Sequence, residues 1–428
     1  MKTKKQNSTY KEINSIIYNF LQDYEEELDP ETIVLIFSDF IFYNGYMKLK
    51  YPNDIRNTSS FIETCSTKNI NYYNSYLIPV FTQICNTPIH LREEVYSSKL
   101  FEGIPFISEN IFNIIEYDSV YIDNEYLIKL CKILENNLED FDLGYLFENL
   151  MTLVKEDDED TSKRKVTGSF YTPKEIISYM VEESLINSIL ANISNIDIEK
   201  LNKLIKDNIN TFNDEESDQI IQFLSNIKIL EPSNGTGSFS LHMLNILYKM
   251  ILSLEGDKQT YKDLMYSRYN GYDHIVKLLN NKRNYKLFIL QNSLFSAEIL
   301  YSSNYINTLR HYLYLSDCDI FPNLNFNFIT ANTLIDFNIP SESLNSILKD
   351  PEAIHIRKNI AYLNILYFFK CENSLNFNEY YSIALQDLMK VYSKYLKSYE
   401  LNQIFSWKPF NMTESCAYFN KDFMFYLR

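Results

Sequence analysis

Apolar residues recur at helical spacing along most of this chain, and three short apolar runs interrupt that pattern. The spacing within residues 1 to about 140, as in Glu12–Leu21 and Thr32–Tyr46, predicts a mostly helical first segment. A second long helical pattern, rich in Tyr and Leu, extends from Ile354 to Leu401. The three short runs lie between these two regions and are typical of buried strands.

The short runs alternate with helical segments. In chain order, the predicted strands and helices are Ile227–Leu230, helix Ser240–Ile251, Ser293–Glu298, helix Asn304–Leu315 and Asn325–Thr330. Strands that alternate with helices indicate a parallel α/β sheet. A parallel sheet binds its ligand at the carboxyl ends of the strands, where Glu298 and Asn332 are expected to lie. Upstream, Thr172 is predicted to cap a helix that has Pro173 at its first position and extends to about Leu190.

A glycine turn follows the first predicted strand. The chain has only 8 glycines among 428 residues, yet Gly235 and Gly237 stand two positions apart in this turn. Glycine tolerates a positive φ and lets a ligand come close to the backbone. We therefore predict that the backbone of this turn contacts a ligand.

The turn and the acid at the end of the second strand are typical of sites for adenosine-bearing cofactors. This arrangement alone fits NAD, FAD and S-adenosylmethionine. The turn has no third glycine at the G-x-G-x-x-G spacing, which disfavours a dinucleotide. The carboxylate of Glu231 suits a cationic ligand better than a pyrophosphate, and S-adenosylmethionine carries an amine and a sulfonium.

Composition narrows the class of protein. A length of 428 residues favours two or three domains, and 46% apolar residues indicate a folded chain. A net charge of −16 argues against non-specific binding to nucleic acid, although a local basic groove stays possible. The six cysteines form no C-x-x-C pair, so neither a zinc site nor a disulfide framework is predicted. Without a long apolar stretch, we expect a cytoplasmic protein that does not associate with a membrane.

Four segments in order carry a family resemblance: Arg164–Pro173, ending Gly-Ser-Phe-Tyr-Thr-Pro; Glu231–Phe239; Gln291–Ile299; and Pro322–Ile335. Residues 142 to 428 thereby resemble the gamma-class DNA methyltransferases that form N6-methyladenine. They are most similar to the type IIG-like branch of restriction–modification systems, in which methyltransferase and nuclease can share one chain. The resemblance implies an α/β fold with a Rossmann-like methyltransferase sheet, and S-adenosylmethionine as the cofactor.

The resemblance also assigns a cofactor site. The segment Arg164–Pro173 would fold over the methionine part, Glu298 would bind the ribose, and Asn332 would contact the adenine. The residues expected at the site are Phe170, Tyr171, Thr172, Pro173, Glu231, Pro232, Ser233, Gly235, Gly237, Phe239, Glu298 and Asn332. Two positions depart from the family, which has Gly-Val-Asp at 296–298 and glycine in place of Ala331.

The family's catalytic motif, Asn-Pro-Pro-Tyr, does not occur in this chain. The strand that precedes the motif in the family corresponds to Phe423–Arg428. We therefore expect an incomplete sheet that holds the cofactor-binding half, with no catalytic residue, and inactivity of the chain alone. Double-stranded DNA would be bound through a missing or separately encoded part, and a partner polypeptide would carry the catalytic motif and the target-recognition domain.

The predicted segments are a helical domain at 1–140, a cofactor-binding domain at 141–345 and a helical segment at 346–428. Two other interpretations remain at this point. The chain could be a non-catalytic subunit of a restriction or phage-defence complex, or a methyltransferase acting on RNA or a small molecule. His242 and His311 are interpreted as helix residues without a catalytic role.

Overall fold

A computed structural model describes residues 2–24, 29–108, 111–112, 117–137, 142–156, 172–333, 340–370 and 377–405. The chain divides into two compact units. The first comprises Met1–Tyr171 with Leu309–Asp317, and the second comprises Thr172–Thr308 with Cys318–Arg428. The first part of the first unit ends at Tyr171, beyond the predicted boundary at position 140, and the predicted helical segment at 346–428 shares a unit with the sheet.

The first unit is helical, as the periodicity predicts. Its α-helices are α1 (Lys2–Asp23), α2 (Pro30–Lys50), α3 (Ser59–Thr67), α4 (Asn124–Asn137) and α5 (Leu143–Glu156). Short 3-10 or π turns lie at Ile55–Asn57, Tyr73–Leu77, Val80–Ile84, Ile89–Leu91, Glu94–Ser97 and Tyr117–Ser119. Helix α2 is buried continuously from Ile33 to Met47, so it forms the centre of this unit.

Except for Leu309–Asp317, which belongs to the first unit, the second unit contains the strands and the remaining helices. In chain order these are α6 (Lys174–Asn192), α7 (Ile198–Asp207), α8 (Asp214–Asn226), β1 (Ile229–Glu231), α9 (Ser238–Glu255), α10 (Thr260–Arg268), α11 (Asp273–Leu278), a 3-10 turn (Lys282–Asn284), α12 (Tyr285–Ser293), β2 (Leu294–Glu298), α13 (Tyr301–Tyr314), β3 (Phe328–Thr330), α14 (Ser341–Lys349), α15 (Pro351–Phe368), α16 (Phe377–Tyr392) and α17 (Ser398–Phe405). All three predicted strands are present, which confirms the α/β prediction for this unit.

The three strands form a parallel sheet with the order β1-β2-β3. Glu231 is paired with Ser296, and Glu298 is paired with Thr330, so the carboxyl ends of the strands lie side by side. One face of the sheet packs on α14–α17 through a core that includes Ala297, Ile329 and Ile360. All five residues of β2 are buried, as expected for a central strand covered on both faces.

One predicted helix start is wrong. Pro173 has φ −55° and ψ 143°, an extended conformation, so it occupies the cap position and α6 begins at Lys174. The first helical bonds run from the N–H groups of Ile176 and Ile177 to the carbonyl of Pro173. The cap therefore lies one residue later than the predicted cap at Thr172, and the helix extends to Asn192. The predicted strand at the chain end and Trp407 lie outside the described residues.

Within the described ranges, every helix is either too short or too polar to cross a bilayer.

Candidate functional site

The glycine turn joins β1 to α9 at the carboxyl edge of the sheet. Its backbone is tied down at Asn234, whose N–H donates to the carbonyl of Ala297 in β2 at 2.9 Å. The carbonyl of Asn234 in turn accepts from the N–H of Gly237 at 2.9 Å. Gly235 and Gly237 have φ values of +54° and +85°, so both adopt the left-handed conformation that favours glycine.

Gly237 is required for a second reason, because α13 lies against it. A Cβ atom at this position would stand 1.9 Å from Oδ1 and 2.7 Å from Cγ of Asn307. Asn307 is fully buried and cannot easily move aside. A Cβ atom at Gly235 would meet nothing within 4 Å, so at that residue the turn presents an open backbone.

The carboxylate of Glu298 holds the turn to the end of β2. Its Oε2 accepts from the N–H of Gly235 at 2.7 Å, and its Oε1 accepts from the N–H of Leu300 at 3.0 Å. The carbonyl of Glu298 accepts from the N–H of Ala331 at 2.9 Å, which links the same residue to the end of β3. Each carboxylate oxygen has a second lone pair, so Glu298 can still accept hydrogen bonds from hydroxyl groups of a ligand.

Glu231 supplies a second carboxylate at the same turn. Its Oε1 accepts from the N–H of Ser233 at 3.2 Å. Burial raises the pKa of Glu231, the hydrogen bond from Ser233 opposes that shift, and the nearby charge of Glu298 adds to it. Two carboxylates that repel each other create a place where a cation would be stabilised.

Asn234 is the turn residue whose role the sequence did not reveal. Its Nδ2 donates to Oγ of Ser296 at 2.9 Å, so the side chain is bound to β2. Its Oδ1 is buried and has no hydrogen-bond partner among the residues that the structure describes. An unsatisfied buried acceptor beside the turn is a group that a ligand or a water molecule can satisfy. The contact partners are 62 positions apart in the chain, which is why no local spacing could indicate them.

His242 connects the helix after the turn to the helix at the start of the second unit. Its Nε2 lies 3.1 Å from Oγ of Ser178 in α6. Burial lowers the pKa of His242, so the neutral imidazole is favoured, and Lys249 lowers it further. This pair fixes the beginning of α6 next to the beginning of α9. The sequence interpretation of His242 as an ordinary helix residue omitted this positioning contact.

The structure brings together four of the predicted site residues, Glu231, Gly235, Gly237 and Glu298, around one turn. Of the other members, Pro232 and Ser233 are exposed on the turn, and Phe239 is half-buried in the first turn of α9. Thr172 and Pro173 precede α6 in the chain, and Asn332 follows β3. Phe170 and Tyr171 lie outside the described residues. In the described part of the chain, no three His, Cys, Asp or Glu side chains are grouped as metal ligands would be.

Comparisons with known proteins give two similarities. No protein-family model matches the chain. The chain is 24% identical over 362 residues to a "putative type II restriction enzyme and methyltransferase" of Methanocaldococcus jannaschii, an alignment that covers 72% of this chain and 28% of that protein. The chain thus spans little more than a quarter of the length of this relative. A solved structure of the type IIL restriction-modification enzyme MmeI in complex with DNA matches 77% of this chain and 41% of its own, with 14% identity and a TM-score of 0.49.

We expect Gly237→Ala to destabilise the second unit strongly, by about 3 kcal/mol, because a positive φ and a steric clash act together. Gly235→Ala is the matched control, with the φ penalty alone at about 1 kcal/mol. Urea unfolding followed by circular dichroism measures the difference. The double variant Gly237→Ala/Asn307→Ala should recover part of the loss, since it removes the clashing side chain. Equal midpoints for the two glycine variants would contradict the role of Asn307.

We expect Glu231→Gln to raise the thermal midpoint near neutral pH. A carboxyl group whose pKa is raised on folding costs stability once the pH exceeds its folded pKa, and the cost disappears below the unfolded value of about 4.3. The gain from Glu231→Gln should therefore vanish as the pH falls to about 4. The exposed residue Asp257 supplies the control Asp257→Asn, for which no such gain is expected. A gain that persists at acidic pH would show that charge is not the cause.

Proposed function

We propose that this chain is the S-adenosylmethionine-binding part of a DNA adenine-N6 methyltransferase of a restriction–modification system. The observation that carries the proposal is the glycine turn bound to an acid on the neighbouring strand, Gly235 N–H to Glu298 Oε2 at 2.7 Å. The motif order in the sequence supports the methyltransferase class, and the named relative supports the restriction–modification context.

The residues at the turn fit the chemistry of this cofactor. The lone pairs that remain on the Glu298 carboxylate would accept the two ribose hydroxyls. The open side of Gly235 would let the ligand approach the backbone without meeting a side chain. The buried Oδ1 of Asn234, which lacks a partner among described residues, would accept a hydrogen bond from a donor on the ligand or from a bound water.

Electrostatics around the turn would select a cation. Burial and the charge of Glu298 raise the pKa of Glu231, and a bound positive charge would offset the cost of ionising Glu231. The cofactor supplies an activated methyl group on a positively charged sulfur. The N-terminus of α9 begins directly after the turn, and the positive end of the helix dipole would favour the carboxylate of the methionine part. The turn therefore offers complementary groups for both charges of the ligand.

The residues that would hold the target adenine are proposed to come from outside this chain. Base methylation in duplex DNA needs an extruded base that is stacked on an aromatic ring and held by hydrogen bonds to its edge. The Asn-Pro-Pro-Tyr motif that does this in the resembling family is absent from the sequence. The net charge of −16 would repel the DNA phosphates, so it is more compatible with a cofactor-binding part than with a DNA-binding part.

Cofactor binding is the first test. Calorimetry with the purified chain should detect S-adenosylmethionine binding, and Glu298→Gln should weaken it by about tenfold or more, because a charge-assisted acceptor for the ribose is lost. The exposed control Asp257→Asn should bind as the wild type does. Circular dichroism checks that each variant is folded. Absence of heat with the wild type would refute the cofactor proposal, and unchanged affinity of the Glu298 variant would refute the ribose role.

Methyl transfer is the second test. The chain is combined with a polypeptide from the same locus that carries Asn-Pro-Pro-Tyr, and double-stranded DNA is added with labelled S-adenosylmethionine. We expect N6-methyladenine in the digested DNA only when both polypeptides are present, and a loss of at least about tenfold with Glu298→Gln. Mass spectrometry identifies the modified base. Methylation of cytosine, or full activity of the chain alone, would overturn this assignment.

A further inference from the structure

A cavity of about 480 Å³ lies at the opposite edge of the sheet from the glycine turn. Lys228, immediately before β1, and Asn327, immediately before β3, form part of its wall. Other wall residues come from α10, α12 and α15, and all of them belong to the second unit. The amino ends of the strands therefore border a space large enough for a small organic ligand.

Among the described residues, the charged side chains in the wall are two cations, Lys228 and Arg268. Lys228 donates from Nζ to the carbonyl of Asn292, and Arg268 donates from Nη1 to the carbonyl of Ser225 at 2.9 Å. Arg268 Nη2 also donates to Oδ1 of Asn226 at 2.7 Å. These acceptors lie at the ends of α8 and α12, so both cations cap helix C-termini. Capping uses one of the three ammonium donors of Lys228 and leaves two.

The charges of these two cations are not balanced nearby. Within the described part of the chain, neither Lys228 nor Arg268 forms an ion pair, and no carboxylate lines the cavity. Burial lowers the pKa of Lys228 to about 8, and the charge of Arg268 contributes to the shift. Two positive charges that line one cavity without a counter-ion among the described residues are unusual in a chain whose net charge is −16. The cavity therefore has a positive electrostatic potential, which would favour the binding of an anion.

The rest of the wall suits a planar organic group. Phe295, Phe326 and Phe368 contribute buried aromatic rings. The amide of Asn364 also lines the space, and its Oδ1 has no hydrogen-bond partner among the described residues. Aromatic rings beside an amide oxygen that has no hydrogen-bond partner are typical of pockets that bind a flat heterocycle with polar edges.

We propose that this cavity binds a nucleoside monophosphate, with its phosphate on Lys228 and Arg268 and its base among the phenylalanine rings. A phosphate monoester carries a charge of about −1.5 to −2 at neutral pH, which matches the two unbalanced cations better than a single carboxylate would. The site is separate from the glycine turn, so occupancy of one does not require occupancy of the other.

Calorimetry with thymidine 5′-monophosphate tests the proposal, because a pyrimidine nucleotide avoids the adenosine specificity expected at the glycine turn. We expect the monophosphate to bind even in saturating S-adenosylmethionine. Inorganic phosphate should bind at least about tenfold more weakly than the monophosphate, and thymidine should show no detectable binding. Lys228→Met should weaken nucleotide binding about tenfold, whereas the exposed control Lys277→Met should leave it unchanged.

Because Lys228 also caps α12, its replacement could weaken nucleotide binding by destabilising the fold. A second variant separates these two effects. Asn364→Asp places a carboxylate in the cavity, where it would neutralise the cations and exclude the phosphate. We expect it to abolish nucleotide binding without lowering the thermal midpoint. Thymidine binding as tightly as its monophosphate, competition by S-adenosylmethionine, or absence of nucleotide binding in the wild type would each overturn the proposal.

Discussion

The hydrogen bond from the N–H of Gly235 to the carboxylate of Glu298 determines the geometry of the proposed site. It ties the turn after β1 to the last residue of β2, and the carbonyl of Glu298 extends the link to β3. One residue therefore links all three strand ends, through its carboxylate and its backbone carbonyl. The same carboxylate is the acceptor proposed for the ribose, so the residue that shapes the turn is also the one offered to the ligand.

Side-chain amides and hydroxyls stabilise this unit where backbone pairing is sparse. The strands are only three, five and three residues long, so the ladder itself contributes few hydrogen bonds. Asn234 binds Ser296 at the carboxyl edge, and Asn327 donates to the carbonyls of Leu290 and Leu294 at the amino edge. Buried amides that donate across neighbouring strands favour one register of those strands. At each edge of the sheet, polar groups that have no hydrogen-bond partner among the described residues mark the place where a ligand is proposed.

The sequence predicted the parts of this unit that depend on local pattern. The alternation of short apolar runs with helical spacing was sufficient for the three parallel strands, and the pair Gly235 and Gly237 marked the turn. Contacts between distant residues were not predictable in this way. Nothing near Gly237 in the sequence indicates that Asn307 lies against it, and the pairing of His242 with Ser178 joins positions 64 apart. The start of α6 was missed because a proline that favours the first helical position also fits an extended cap.

The contacts that close the glycine turn span 62 and 63 positions of the chain, and this length has a kinetic consequence. Closing loops of this length costs entropy before any contact compensates for it, so we expect the turn to form after α9, α10 and α12 have packed. We also expect it to open before the surrounding helices do, because the strands that hold it are short. Amide hydrogens of the turn should therefore exchange with solvent faster than those of the surrounding helices. A ligand that bridges the turn and Glu298 would slow this opening and so act as the final step in the folding of the unit.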